Sequence, residues 1–137
     1  MVLPAEDRWA ITELLSKYGL LIDRHLMDEW TALFTPDAEF EVPGVGTFCT
    51  VEDRRGMVEN APKGLHLVAS PVITPGPSGV AAACQQEFLF RNVETGKFLT
   101  GWYEDDVVKR GDEWLFARRA IRYFRRARPR AEAEGGA

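Results

Sequence analysis

The chain changes period near residue 64, and that change limits its fold more than any other feature. Beyond it, four long segments alternate apolar and polar residues: Leu65 to Thr74, Val80 to Asn92, Lys97 to Lys109 and Glu113 to Phe124. A two-residue period sends successive side chains to opposite faces, as in strands. The links between them are Pro75-Gly76-Pro77-Ser78-Gly79, Glu94-Thr95-Gly96 and Arg110-Gly111-Asp112. Short polar links containing glycine suit hairpins and are too short for crossovers. The four segments therefore read as an antiparallel meander.

Ahead of the meander the period is helical. Ile11, Leu14, Leu15, Tyr18 and Ile22 share one face of a proline-free stretch from Ala5 to about Arg24, the first helix. A short second helix starts at Met27 or Asp28, carries Trp30, Leu33 and Phe34, and is ended with the help of Pro36. Ala38 to Val42 alternates and meets the turn Pro43-Gly44, as an edge strand would, with Gly46 to Thr50 as its partner. Val51 to Ala61 is a third helix stopped before Pro62. Helices first and strands afterwards give an α+β fold with the helices on one face of the sheet.

A length of 137 residues fits one domain, spanning 1–126, and 127–137, with Pro129, alternating Ala and Glu, and Gly135-Gly136, reads as a disordered tail. No apolar run approaches membrane-spanning length and the amino terminus has no leader pattern, so the expected location is the cytoplasm, with no membrane partner. Cys49 and Cys84 have neither metal-ligand nor redox spacing and read as reduced, buried residues, and no metal is expected. A net charge of −4 gives no footprint for nucleic acid. The arginine run from Arg118 to Arg130 is local, and Arg118, Arg119 and Arg122 are expected to pair across the sheet with Glu104, Asp105 and Asp106. Gly44-Val45-Gly46 is a turn and not a phosphate loop.

The order of elements resembles the SnoaL-like group of the nuclear-transport-factor-2-like superfamily over roughly Asp7 to Phe124. The carriers are Ile11-x-x-Leu14-Leu15-x-x-Tyr18-x-x-x-x-Asp23, Leu33-Phe34-Thr35-Pro36-Asp37-Ala38, and Gly101-x-Tyr103-x-Asp105-x-Val107 ahead of Gly111-Asp112-x-Trp114. The resemblance implies a cone-shaped α+β barrel, three helices packed on a curved sheet around a central pocket. It covers branches such as scytalone dehydratase, dehydrochlorinase, polyketide cyclase, isomerase and epoxide hydrolase, and members without chemistry, so the fold leaves the reaction open. In the dehydratase and dehydrochlorinase branches an aspartate at the end of the first helix pairs with a histidine on the first meander strand; Asp23 and His66 hold the matching positions. Ser70 stands where relatives often have asparagine, Cys49 to Glu52 replace a usual glycine, and Tyr18 takes the place of the dehydrochlorinase lysine. Halide elimination is therefore disfavoured.

Asp23 ends the apolar stretch Gly19-Leu20-Leu21-Ile22, where an ionised carboxylate needs a donor. A carboxylate that accepts from one imidazole nitrogen fixes the tautomer and leaves the other nitrogen to take a proton. Asp23 and His66 are thus the expected catalytic pair, needing neither metal nor organic cofactor. The plainer alternative is a satisfied core histidine, with Asp23 paired locally to Arg24 or Lys63; His25 is the rival imidazole. Among the aromatic residues, Tyr18, Trp30, Phe48 and Phe90 are expected to line the substrate pocket. The leading function is a lyase or isomerase acting on a small apolar, cyclic metabolite by dehydration, isomerisation or cyclisation. Next come a non-catalytic ligand-binding or structural subunit and, third, epoxide hydrolysis, which needs further polar groups around Asp23. The exposed sheet face suggests a homodimer, with a trimer as alternative.

Overall fold

A computed structural model describes residues 2–124, so the tail expected at 127–137 lies outside the described residues. Helix α1 (Ala5–Asp23) is followed by α2 (Met27–Thr31), β1 (Phe34–Val42), β2 (Gly46–Phe48), α3 (Val51–Glu59), β3 (Gly64–Val68), β4 (Val72–Pro75), β5 (Ala81–Asn92), β6 (Phe98–Arg110) and β7 (Glu113–Tyr123). The strands form one seven-stranded sheet in the order β2-β1-β7-β6-β5-β3, with β4 also paired to β5. It is an α+β fold, with helices on an open, curved, mixed sheet.

Three expectations about the elements are corrected, and a fourth about Cys49. The run Leu65 to Thr74 is two strands, because Ala69-Ser70-Pro71 breaks it; both halves pair with β5. Strand β1 is not an edge: it lies between β2 and β7, and it runs parallel to β7. The second helix ends at Thr31, so Leu33 and Phe34 leave it and Pro36 sits inside β1. Proline lacks an N–H, and the register between β1 and β7 shifts between Phe34 and Glu39. The buried Arg54 of α3 answers that break. Its guanidinium donates to the carbonyls of Ala38 (2.6 Å), Thr35 (3.0 Å) and Pro36 (3.3 Å). Cys84 is buried as expected, and burial pushes its thiol up to about 12, but Cys49, just past β2, is exposed.

Helix α1 is tied to the sheet at both ends by carboxylates. Near its start, Asp7 accepts from the Trp114 indole (3.0 Å) and the Lys109 ammonium (3.1 Å) beside the β6–β7 turn. Its apolar stripe, Ile11, Leu14, Leu15 and Tyr18, is buried against residues such as Phe40, Val107 and Phe116, each worth about 1.5–3 kcal/mol in transfer terms. The far end carries Asp23. Of the arginines of β7, Arg119 reaches Asp105 as expected, whereas Arg118 (3.4 Å) and Arg122 (2.6 Å) both bond Glu41 of β1, which the expected pairing left out, and Arg122 only approaches Glu104 at 3.9 Å. Among the described residues no helix is long and apolar enough to cross a membrane.

Candidate active site

Asp23 is delivered by the way α1 stops. The amide of Leu26 donates to Leu21 O (3.0 Å) and that of His25 to Ile22 O (3.0 Å), a Schellman closure. The closure places His25 in the left-handed region at φ 58°, where glycine is the usual occupant. The helix therefore ends at Asp23, with Arg24 as its cap. Strand β3 approaches α1 closely because Gly19, one turn back, has no side chain. A Cβ there would stand 2.6 Å from His66 Cβ.

The two groups meet through both carboxylate oxygens. Asp23 Oδ1 lies 2.6 Å from His66 Nδ1, and Asp23 Oδ2 accepts from the His66 backbone N–H at 2.8 Å. Both side chains are only 13% exposed. An ionised carboxylate can only accept, so Nδ1 carries the hydrogen and, in the neutral ring, Nε2 keeps its lone pair. Among the described residues Nε2 has no hydrogen-bond partner. The second bond, to the amide of the same residue, fixes the carboxylate on the strand as well as on the ring. His66 faces Phe90 across the β3–β5 ladder, with the rings 4.8 Å apart, and the Tyr18 ring meets the imidazole edge-on at 6.0 Å.

Asp23 and His66 both line a cavity of about 530 Å³, within the range of small-molecule sites. Most of the wall is apolar: Ile22, Met27, Phe40, Val58, Phe88 and Leu99 are among its residues. Of the four aromatic side chains expected there, Tyr18 and Phe90 line it. Trp30 and Phe48 do not. Trp30 is fully buried behind the wall, packed on Tyr18 (5.9 Å) and Phe34 (4.9 Å) as core, and Phe48 packs on the same core from the short strand β2. His25 is exposed and also borders the cavity.

Sequence reasoning passed over Tyr103 and Arg119 as site residues. Tyr103 lines the cavity from β6 and stacks on Phe88 at 4.6 Å. Arg119 is fully buried beneath it and makes two 2.8 Å bonds to Asp105. Burial works against its charge, but the Asp105 carboxylate outweighs burial and holds the guanidinium above its ordinary value. Alternation from Gly101 through Tyr103 to Asp105 carried the signal, since it puts Tyr103 and Asp105, the partner of Arg119, on one face.

Known proteins share this fold. A candidate scytalone dehydratase from Novosphingobium aromaticivorans superposes with a TM-score of 0.75 at 22% identity, covering 87% of this chain and 85% of that one. A hexachlorocyclohexane dehydrochlorinase, LinA type 3 of Novosphingobium barchaimii, superposes at 0.74 with 20% identity, covering 86% of each. An uncharacterised protein of Mycobacterium tuberculosis is 26% identical over 124 residues, 82% of each chain. The SnoaL-like domain family matches residues 4–120, so with helices, sheet and pocket arranged as described, this chain belongs to the SnoaL-like domain family.

Proposed function

We propose that the protein is a cofactor-independent lyase or isomerase acting on a small apolar, cyclic metabolite, with His66 as general base and acid and Asp23 as the group that orients it. The observation that carries this reading is the two-point hold of Asp23 on His66, 2.6 Å to the ring and 2.8 Å to the amide, at the wall of a largely apolar cavity. With Nδ1–H spent on Asp23, Nε2 is the nitrogen left to take a proton from a bound ring and return it elsewhere. Assistance of this kind is worth about 10² to 10⁴ in rate, and a dry wall adds positioning. Both Asp23 oxygens are engaged by His66, which favours the imidazole over the carboxylate as the group meeting the ligand and counts against water activation by Asp23.

A panel of cyclic ketones, β-hydroxyketones and epoxides tests the reading with the wild type, His66→Ala and Asp23→Asn. Turnover that falls by about 10² or more in His66→Ala, with the fold retained, is the expected result. Equal turnover by wild type and His66→Ala would end it, and tight binding without turnover anywhere in the panel would favour a ligand carrier. Self-association as a dimer rests on the exposed apolar residues of the outer sheet face, Leu67 (67%) and Phe98 (60%) among them. Sedimentation of the wild type against Leu67→Glu/Phe98→Glu reads that point.

A further inference from the structure

The cavity is apolar inside and basic at its mouth. Its inner wall is set by buried side chains such as Phe40 and Phe88, and its opening by Val45 (63% exposed), Leu65 (53%) and Val93 (53%). Two basic residues border it from the links that lead into α2 and β3. His25 follows α1, and the half-buried Lys63 lies between α3 and β3. Among the described residues Asp23 is the only acidic one on the wall, and His66 engages both its oxygens. Asp28 and Glu59, the acids that flank the two links, are both held by Arg55 at 2.6 Å. The Lys63 ammonium is instead fixed by a backbone carbonyl, Glu59 O at 2.9 Å, which leaves two of its three N–H groups for another acceptor. His25 adds a second sign of use. It is the one described non-glycine residue in the left-handed region, a conformation that glycine adopts without strain.

We infer that Lys63 and His25 form an anion subsite at the cavity mouth, and that the ligand is an apolar ring carrying a short carboxylate arm. The ring enters the cavity while the carboxylate stays outside on the Lys63 ammonium and an N–H of the His25 imidazole. The inference rests on the proposed use of this cavity as a substrate site and names the substrate class for it. A bond from an ammonium to a carboxylate is charge-assisted and stronger than one between neutral groups. At the rim the carboxylate keeps part of its water, so the cost of burying an ion is avoided, and the ring supplies the apolar area. Lys63 stands three residues before His66, and at about 3.3 Å per residue that is a backbone spacing of about 10 Å, the span of two fused rings with a short arm. Anchored there, the ring presents one edge to His66 Nε2, so Lys63 and His25 determine specificity and take no part in proton transfer. Both follow helix C-termini, where a basic side chain also satisfies the helix end. Capping alone would support the fold without distinguishing an acid from its amide.

Fluorescence titration with 3-(2-naphthyl)propanoate against its primary amide tests this. Wild type is expected to prefer the acid by about tenfold at low salt, and the preference should shrink as salt is raised. Lys63→Met should bring it to about unity while amide binding moves less than about twofold; Lys63→Arg, which keeps the charge, should hold it within about threefold. His25→Gly suits the left-handed position, so Tm should hold or rise while the preference falls by about threefold. His66→Ala leaves the preference in place. A wild type without the preference, including one that binds neither probe, overturns the inference, as does a preference that Lys63→Met leaves intact. A preference lost in His66→Ala alone puts the carboxylate on the dyad, overturning the mouth subsite and leaving the cavity as the ligand site. Turnover that survives His66→Ala, with the preference still lost in Lys63→Met, keeps the subsite and removes the dyad.

Discussion

Gly19→Ala is expected to damage the site from a position that touches no ligand. In a helix interior, alanine is favoured over glycine by about 1 kcal/mol, so on propensity alone the change stabilises. Packing opposes it. The new Cβ would stand 2.6 Å from His66 Cβ and 3.1 Å from its Cγ. Carbon atoms rest at roughly 3.5–4.0 Å, so β3 must withdraw from α1 by about 1 Å. That movement stretches the 2.6 and 2.8 Å bonds to Asp23 past useful length. Overpacking costs about 1–3 kcal/mol and each of the two bonds to a charged group about 1.5–3, giving a net loss of about 3 kcal/mol or more after the helix gain. Urea denaturation reads the stability, and turnover of a substrate found in the panel should fall by about 10². Gly56→Ala in α3, where a Cβ meets nothing within 4 Å, is the control and should gain about 1 kcal/mol. A Gly19→Ala protein stabilised like the control, with full turnover, would refute the reasoning.

Other outcomes follow from named contacts. Asp23→Asn offers one acceptor to the two N–H groups of His66, so stability should fall by about 1–3 kcal/mol in urea and the imidazole should change tautomer. Arg119→Met strands the buried Asp105 and should cost about 3–5 kcal/mol, whereas Arg119→Met/Asp105→Leu recovers most of it in the same assay. The Trp114 and Lys109 donors hold the Asp7 carboxyl below its ordinary value. Its contribution is therefore fully present above the unfolded carboxylate range and disappears as pH falls through the lower folded value. Acid titration of Tm should show a shallower decline for Asp7→Asn than for the wild type.

Most of the fold was legible because period and turn chemistry are local. The switch near residue 64, the three Gly-containing links and the stripe from Ile11 to Ile22 each state an element without help from the rest of the chain. What failed depended on distant partners. Nothing near Pro36 says that Arg54 will satisfy the carbonyls of a broken strand and let β1 lie inside the sheet. Glu41 was missed as the partner of Arg122 because the parallel pairing of β1 and β7 joins residues 81 positions apart. For the site, the Asp23–His66 pairing was legible through the family resemblance, which matches an aspartate ending the first helix to a histidine on the first meander strand; position alone left a core histidine and a locally paired Asp23 equally open. Trp30 and Phe48 were misplaced because an aromatic residue on a core face and one on a cavity face have the same period; only packing separates them. The role of Gly19 was invisible, since a helical glycine states no reason for itself until the opposing strand is in place.

Nitrogen NMR of the His66 ring, labelled with ¹⁵N and recorded near pH 8 where an ordinary imidazole is neutral, tests the core of this account most directly. The predicted spectrum has a proton-bearing Nδ1 and a bare Nε2, with that assignment lost in Asp23→Asn. A proton found on Nε2 in the wild type, with Nδ1 bare, would contradict the account.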